Sequence, residues 1–217
     1  PQDSPLRKAV VISNPLGEDF SIMRTISLNG MLTSLSTNFN RRNKNVRLYE
    51  LGNIYLPKQV PVTELPEERM QFTLGMYGEG DFFTMKGVIE EFLYKAGMKL
   101  KPEYDPEAGK PFLHPGRQAN VVYDGTVIGY LGEVHPTVAA NYAIKERVYV
   151  AVLDMPEIVS RASFDHKYEG IAKFPAAARD ISMVVPKKVL AGDIEKIFDE
   201  KGGQFLEKYD LFDIYEG

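Results

Sequence analysis

Residues 121–128 read Val-Val-Tyr-Asp-Gly-Thr-Val-Ile, and no other stretch of the chain restricts the fold as tightly. A two-residue hairpin turn needs positive φ at both central positions, and Asp124-Gly125 supplies it. The β-branched and aromatic residues on either side favour extended chain. An antiparallel pair is therefore predicted here. A second pattern supports a sheet: Met70, Phe72, Leu74 and Met76 alternate with Gln71, Thr73, Gly75 and Tyr77, as in a half-buried strand. Val46–Leu56 reads as a long strand with apolar residues on both faces, which places it inside a sheet and away from its rim. Residues 148–153 form a further strand, and residues 9–13 a short extended run that ends at the Asn14-Pro15 turn.

Helical spacing alternates with these strands. Leu28, Met31, Leu32, Leu35 and Phe39 recur along one face, with Ser27 or Asn29 as N-cap. Phe82, Met85, Ile89, Phe92, Leu93 and Ala96 mark a second amphipathic helix, stopped near Gly97. A short helix starts near Thr137, and residues 57–68 and 102–115 read as loops. Residues 156–173 read as a short helix and a linker. In the tail, Ile181, Met183 and Val185 form a strand. Ile194, Ile197 and Phe198 form a helix with Asp193 and Glu195 in its first turn, ended by Gly202-Gly203. Residues 205–215 form another strand. The tail is thus one β-α-β unit, too small to bury its own sheet face well. The whole is an α+β chain: an antiparallel sheet flanked by helices over residues 1–165, then a truncated unit over 166–217.

Composition removes several functions. The 217 residues contain no cysteine, which excludes disulfides, thiolate metal sites and thiol catalysis. The formal net charge is −4, so nucleic-acid contact must be local. No apolar run has the length of a membrane span, and the N-terminus has no signal-peptide pattern. The first residue is Pro1, which suggests a piece of a longer chain.

Three clusters carry candidate chemistry. Residues 38–47 place Arg41, Arg42, Lys44 and Arg47 among four asparagines, between a helix and a strand. They can contact RNA phosphates or a partner subunit, or form a solvated loop whose asparagines tolerate turn geometry. His114-Pro115-Gly116-Arg117 reads as a turn with a hydrogen-bonded histidine. No orienting partner is visible, and His135 and His166 give no metal-type spacing with His114. Gly129 and Gly132, in the run 129–136, suggest close backbone packing in a strand; no helix N-terminus follows to make a phosphate cradle. Glu67-Glu68 and Glu90-Glu91 are adjacent pairs that do not converge and read as exposed charges.

Taken in order, several motifs resemble one family. Asn14-Pro15-Leu16, Met23-Arg24-Thr25, the 28–38 helix, the 46–52 strand, Met85-Lys86-Gly87, His114-Pro115-Gly116-Arg117 and residues 129–136 are similar to the class II synthetase-like module of phenylalanyl-tRNA synthetase beta subunits. Phe174-Pro175, Arg179-Asp180-Ile181, Gly192-Asp193-Ile194 and residues 211–217 resemble the start of that family's ferredoxin-fold anticodon-binding domain.

The resemblance implies a non-catalytic scaffold in a cytoplasmic (αβ)₂ enzyme of protein biosynthesis. There the alpha subunit uses ATP and Mg²⁺ to charge tRNA(Phe), and these residues hold no catalytic group, cofactor or metal of their own. Leu28, Met31, Leu32, Leu35 and Phe39 then become candidates for the interface with alpha. Arg41, Arg42, Lys44 and Arg47 become candidates for RNA or partner contact. Residues 46–50, with Arg47 and Glu50, are superficially similar to the class II motif that grips the ATP α-phosphate. The Gly-rich run 129–136 lacks the arginine that a working third motif carries, so electrostatic stabilisation of an adenylate is missing. A stand-alone RNA-binding module is the alternative, and a class II-like adenylate-forming ligase is a more distant one.

Overall fold

The computed structural model describes residues 4–165, 168, 170 and 174–215. Pro1, His166, Lys173 and Glu216-Gly217, used above, lie outside them. The chain divides into two compact units, Pro1–Phe164 and Asp165–Gly217.

The first unit runs α1 (Leu28–Asn40), β1 (Val46–Leu56), β2 (Glu67–Tyr77), α2 (Phe82–Lys95), β3 (Glu103–Asp105), β4 (Leu113–Tyr123), β5 (Thr126–Val134), α3 (Pro136–Asn141), β6 (Val148–Asp154) and α4 (Met155–Arg161). Its six strands form one sheet in the order β1-β2-β6-β5-β4-β3. Every neighbouring pair is antiparallel. The predicted hairpin joins β4 to β5: Tyr123 pairs with Thr126, and Asp124 and Gly125 sit at φ of 48° and 70°. Residues 9–13 contribute only an isolated bridge, Val11 to Ile22.

The sheet is covered on both faces, and period-2 alternation sorts the side chains between them. In β6, Tyr149, Ala151 and Leu153 join the cluster under α2, with Met85, Ile89 and Leu93. Val148 and Val150 join the cluster under α1, with Leu28, Met31, Leu32 and Leu35. Thus β2, read as half-buried, is buried on both faces over its last five residues. Where helix and sheet come closest, a side chain has no room. A Cβ on Gly75 would lie 2.7 Å from Met31 Cγ and 2.9 Å from Leu35 Cδ1. A Cβ on Gly129 would lie 2.4 Å from the Val152 carbonyl, which bears out the close-packing reading of that glycine.

Polar groups lock the two helices. Asp81 caps α2, accepting a hydrogen bond from the Thr84 amide at 2.8 Å while Thr84 Oγ1 accepts from the Asp81 amide. Ser27 precedes α1 but its side chain does not cap it. Its hydroxyl instead accepts from Thr73 Oγ1 and donates to Gln71 Oε1, each at 2.6 Å. Thr73 is fully buried and Ser27 nearly so, so this chain satisfies polar groups that burial would otherwise penalise, and it ties α1 to β2. Likewise Arg69 Nε donates to Asp154 at 2.6 Å, linking β2 to the junction of β6 and α4.

Four sequence readings are corrected. β1 is an edge strand, not an interior one. Leu28, Met31, Leu32 and Leu35 are at most 3% exposed and fill this chain's own core, so they are not available to a partner. Phe39 is half-buried, edge-on to Tyr77 at 5.7 Å. An apolar helical stripe reports only that something covers it, and here the sheet does. Residues 102–115 are not simply a loop, since β3 lies within them and β4 begins at Leu113. Glu90 is half-buried, 3.6 Å from Lys86; burial, and then the Glu90 charge, holds the Tyr104 phenol above its ordinary range.

The second unit contains α5 (Ala191–Lys201), whose Phe198 stacks on Tyr209 at 5.4 Å. The Tyr209 hydroxyl donates to Asp199 at 2.7 Å; burial and that carboxylate push its pKa up to about 12. Among the described residues neither predicted tail strand pairs: 181–185 and 206–215 carry no ladder. In a split β-α-β arrangement another strand lies between the two, so these segments do not supply each other's partner.

Two tests follow from the packing. Gly129→Ala meets a backbone oxygen that cannot rotate away, and Leu35→Ala empties a fully buried site. Urea titration of Leu35→Ala should show a loss of about 2–5 kcal/mol, and Gly129→Ala should lose about 1–3 kcal/mol. The Asp81 carboxyl is held below its ordinary range by the Thr84 amide and hydroxyl. Its contribution is present above the unfolded-state pKa and is lost as pH falls through the lower folded value. Asp81→Asn keeps the cap but does not titrate, so its melting temperature should fall less than the wild type's between neutral pH and strong acid.

Candidate functional site

One end of the sheet gathers the C-terminus of α1, the start of β1, the end of β2 and the start of β6. Here the loop 41–47 is held by its asparagines. Asn43 Nδ2 donates to Asn38 Oδ1 at 2.8 Å, and Tyr77 Oη donates to the Asn43 carbonyl at 2.8 Å. Burial, with the charge of Glu146, raises the Tyr77 phenol above its usual pKa and keeps it a donor. Asn45 Oδ1 accepts from the Glu79 amide at 3.0 Å. A Cβ on Gly78, whose φ is +91°, would lie 2.4 Å from both Asn45 Oδ1 and the Lys44 carbonyl. Arg42 itself takes a left-handed conformation at φ 64°. Asn38, Asn43 and Asn45 act through side-chain hydrogen bonds, while the turn geometry itself falls on Arg42.

The cations divide. Arg47 Nη2 donates to the Glu79 carbonyl at 3.3 Å. Arg41, Arg42 and Lys44 are exposed and carry no ion pair among the described residues. The loop thus presents three unneutralised charges on a pinned backbone, which lowers the ordering cost of a contact.

The motif-like pair at β1 does not converge on a common ligand. Glu50 is bound by Arg24 Nη1 at 2.5 Å, while Arg24 Nε donates to the Asn53 carbonyl at 2.7 Å. Both side chains are about a third exposed, so the pair contributes at most about 1 kcal/mol. Its effect is geometric: the Arg24 carbonyl also accepts from the Tyr55 amide at 2.9 Å, covering one stretch of the β1 edge. Gly129 and Gly132 pack against β6 and β4, with a Cβ on Gly132 falling 2.8 Å from the Arg117 carbonyl. These residues do not fit a triphosphate cradle.

A second feature, missed in the sequence, lies where β4 starts and β5 ends. Glu133 is 3% exposed. Arg117 Nη1 donates to both of its oxygens at 3.1 and 3.2 Å, and Arg147 Nε lies 4.0 Å away. Deleting Arg117 would leave this buried carboxylate with Arg147 alone, 4.0 Å away, and so destabilise the fold. The pair was within reach of register counting: stepping back from the Asp124-Gly125 turn brings residue 117 within one position of 133, the offset being a bulge. His114 Nδ1 accepts from the Gly116 amide at 3.1 Å, as the turn reading expected, although within the irregular start of β4. These groups line an open cleft of about 630 Å³ with Val134, Ala139 and Ile144.

The pinning of the loop is testable. Asn45→Ala removes one hydrogen bond, a net loss of about 1 kcal/mol. Exchange of the Glu79 amide should quicken several-fold in Asn45→Ala while amides of β6 keep wild-type rates.

A family model described as "Phenylalanyl tRNA synthetase beta chain CLM domain" matches residues 2–155. A second, "Ferredoxin-fold anticodon binding domain", matches residues 172–217. The phenylalanine–tRNA ligase beta subunit of Clostridium acetobutylicum is 43% identical over 217 residues, covering 100% of this chain and 27% of the relative. That of Bacillus subtilis is 34% identical, covering 95% of this chain and 27% of the relative. The chain therefore spans about a quarter of the length of these relatives. Among solved structures, pyrrolysyl-tRNA synthetase from Desulfitobacterium hafniense is similar with a TM-score of 0.56 at 13% identity, over 73% of this chain and 55% of the other. That likeness establishes a class II synthetase fold.

Proposed function

The chain belongs to the phenylalanyl-tRNA synthetase beta-chain family, and from that premise we propose that it is a non-catalytic docking module. It joins the catalytic alpha subunit of phenylalanine–tRNA ligase and helps to hold tRNA(Phe). The carrying observation is the free edge of the sheet. Among the described residues β1 has a neighbouring strand on one side only, and Tyr49 and Leu51, 75% and 55% exposed, stand beside Met70, 41% exposed, above the Phe72–Phe92 stack. An apolar edge strand invites pairing unless something covers it. The alpha subunit supplies that cover. The partner surface is thus the edge of β1 and its outer face, in place of the α1 stripe.

The absence of a phosphate grip supports the non-catalytic part. Glu50 is engaged by Arg24, Arg47 by a backbone carbonyl, and the Gly-rich run by sheet packing. ATP and Mg²⁺ belong to the alpha subunit in an (αβ)₂ cytoplasmic enzyme. Among the described residues no helix is long and apolar enough to cross a membrane. Contact with tRNA(Phe) falls to the tail and to Arg41, Arg42 and Lys44.

The test is assembly. The complete beta subunit, wild type or Tyr49→Glu/Leu51→Lys, is co-expressed with alpha and the complex is measured by co-elution and by aminoacylation. The double variant should lose at least about tenfold in both, about 1.4 kcal/mol of interface, while its melting temperature stays near wild type. Unaltered assembly removes the β1 reading. Phenylalanine-dependent pyrophosphate exchange by the 217-residue chain alone removes the non-catalytic one.

A further inference from the structure

The cleft at the start of β4 is unused by this reading, and its surroundings are polarised. Val46 pairs with Tyr77 and Tyr77 with Val148, so the 41–47 loop and residues 145–147 flank the same end of the sheet as the cleft. That end carries Arg41, Arg42, Lys44, Lys145, Arg147 and Arg117 against Glu79, Glu133 and Glu146, an excess of cations. The opposite end carries Glu64, Glu67, Glu68, Asp154 and Glu157, with Lys58, Arg69 and Arg161 ion-paired among them. In a chain of net charge −4, cations gathered at one end of the sheet make a local anion-facing surface.

The cleft has the parts of a phosphate site with room beside it. Glu133 is buried and already neutralised by Arg117, which uses one terminal nitrogen for both contacts and keeps further donors. Arg147 is two-thirds exposed and 4.0 Å from that carboxylate, so its planar fork remains available. Lys145 stands on the rim. Because His114 Nδ1 accepts a hydrogen bond, its neutral ring carries the proton on Nε2 and adds another donor. Val134 and Ile144 form an apolar floor. A volume of about 630 Å³ is in the range of sites that hold a whole small molecule. It therefore has room for a phosphate together with its sugar or base.

We propose that this cleft seats a nucleotide of a single-stranded RNA segment, its phosphodiester held by Arg147, Lys145 and the free donors of Arg117. The site rests on the RNA-binding part of the reading above but not on the 41–47 loop. An RNA strand, and not an acidic peptide, is chosen because the guanidinium forks match phosphate geometry.

The experiment uses the 217-residue chain and a short fluorescein-labelled single-stranded RNA, with anisotropy followed over a salt series. Three proteins are compared: wild type, Lys145→Gln/Arg147→Gln, and Arg41→Gln/Arg42→Gln/Lys44→Gln. Lys145 and Arg147 are exposed, so the cleft variant should melt as wild type does; Arg117 is left alone because Glu133 depends on it. The cleft variant should bind about tenfold more weakly at moderate salt, and the slope of log affinity on log salt should shrink by about 1.4, near 0.7 per lost phosphate contact. If only the cleft variant weakens, the proposal stands and the loop reading falls; if both weaken, both stand. If the cleft variant keeps wild-type affinity and slope, or if wild type binds no RNA, the proposal is overturned. Saturable binding of inorganic pyrophosphate at the cleft without any RNA effect also overturns it.

Discussion

β2 and β6 lie side by side in the middle of the sheet with apolar groups on both faces, and the rest of the first unit is arranged around covering them. α1 closes one face and α2 the other. α1 approaches closely enough that Gly75 leaves no space for a side chain, and within the sheet β6 leaves none at Gly129. Close packing of this kind is intolerant of even one added methyl group, which makes the sheet a rigid platform. The buried chain Thr73–Ser27–Gln71 adds direction to the packing, since hydroxyl partners specify one seating of α1 on the sheet.

Rigidity at the centre makes the perimeter usable. Once both faces are covered, what remains for recognition is the two edges, β1 and the short β3, and the two ends. The β1 edge is partly shielded by Arg24 and exposes Tyr49 and Leu51. One end is basic, with the 41–47 loop tied to the β2–α2 turn and Arg117 tied to a buried glutamate. The other end carries carboxylates ion-paired with Lys58, Arg69 and Arg161. A surface divided in this way suits a piece that takes a protein partner along one side and a polyanion at one end. The residues nearest to a class II pattern are engaged elsewhere, Glu50 by Arg24 and Arg47 by the Glu79 carbonyl.

The second unit shows the opposite behaviour. Its alternating segments have strand patterns, yet they stay unpaired among the described residues, and α5 is held chiefly by an aromatic stack with Tyr209. Strand propensity describes fitness for a pleated surface and does not create one. The match to a ferredoxin-fold anticodon-binding domain is carried by sequence over residues 172–217.

Local chemistry alone determined a good part of this protein. Asp124-Gly125 admits only a tight hairpin, period 2 in β2 and period 3.6 in α2 each state an element, and ordered motifs point to one family. These are decisions of backbone sterics and short-range periodicity, and they do not depend on neighbours far along the chain. What covers each apolar face is a long-range matter, and there only the tertiary structure decided. It put the Leu28, Met31, Leu32 and Leu35 stripe into the core and left β1, apolar on both sides, at the rim. It also set Arg117 against Glu133 across a bulge. Hydrophobic pattern records that a surface is to be covered; burial is supplied by whichever element arrives, and that is settled by packing between residues distant in sequence.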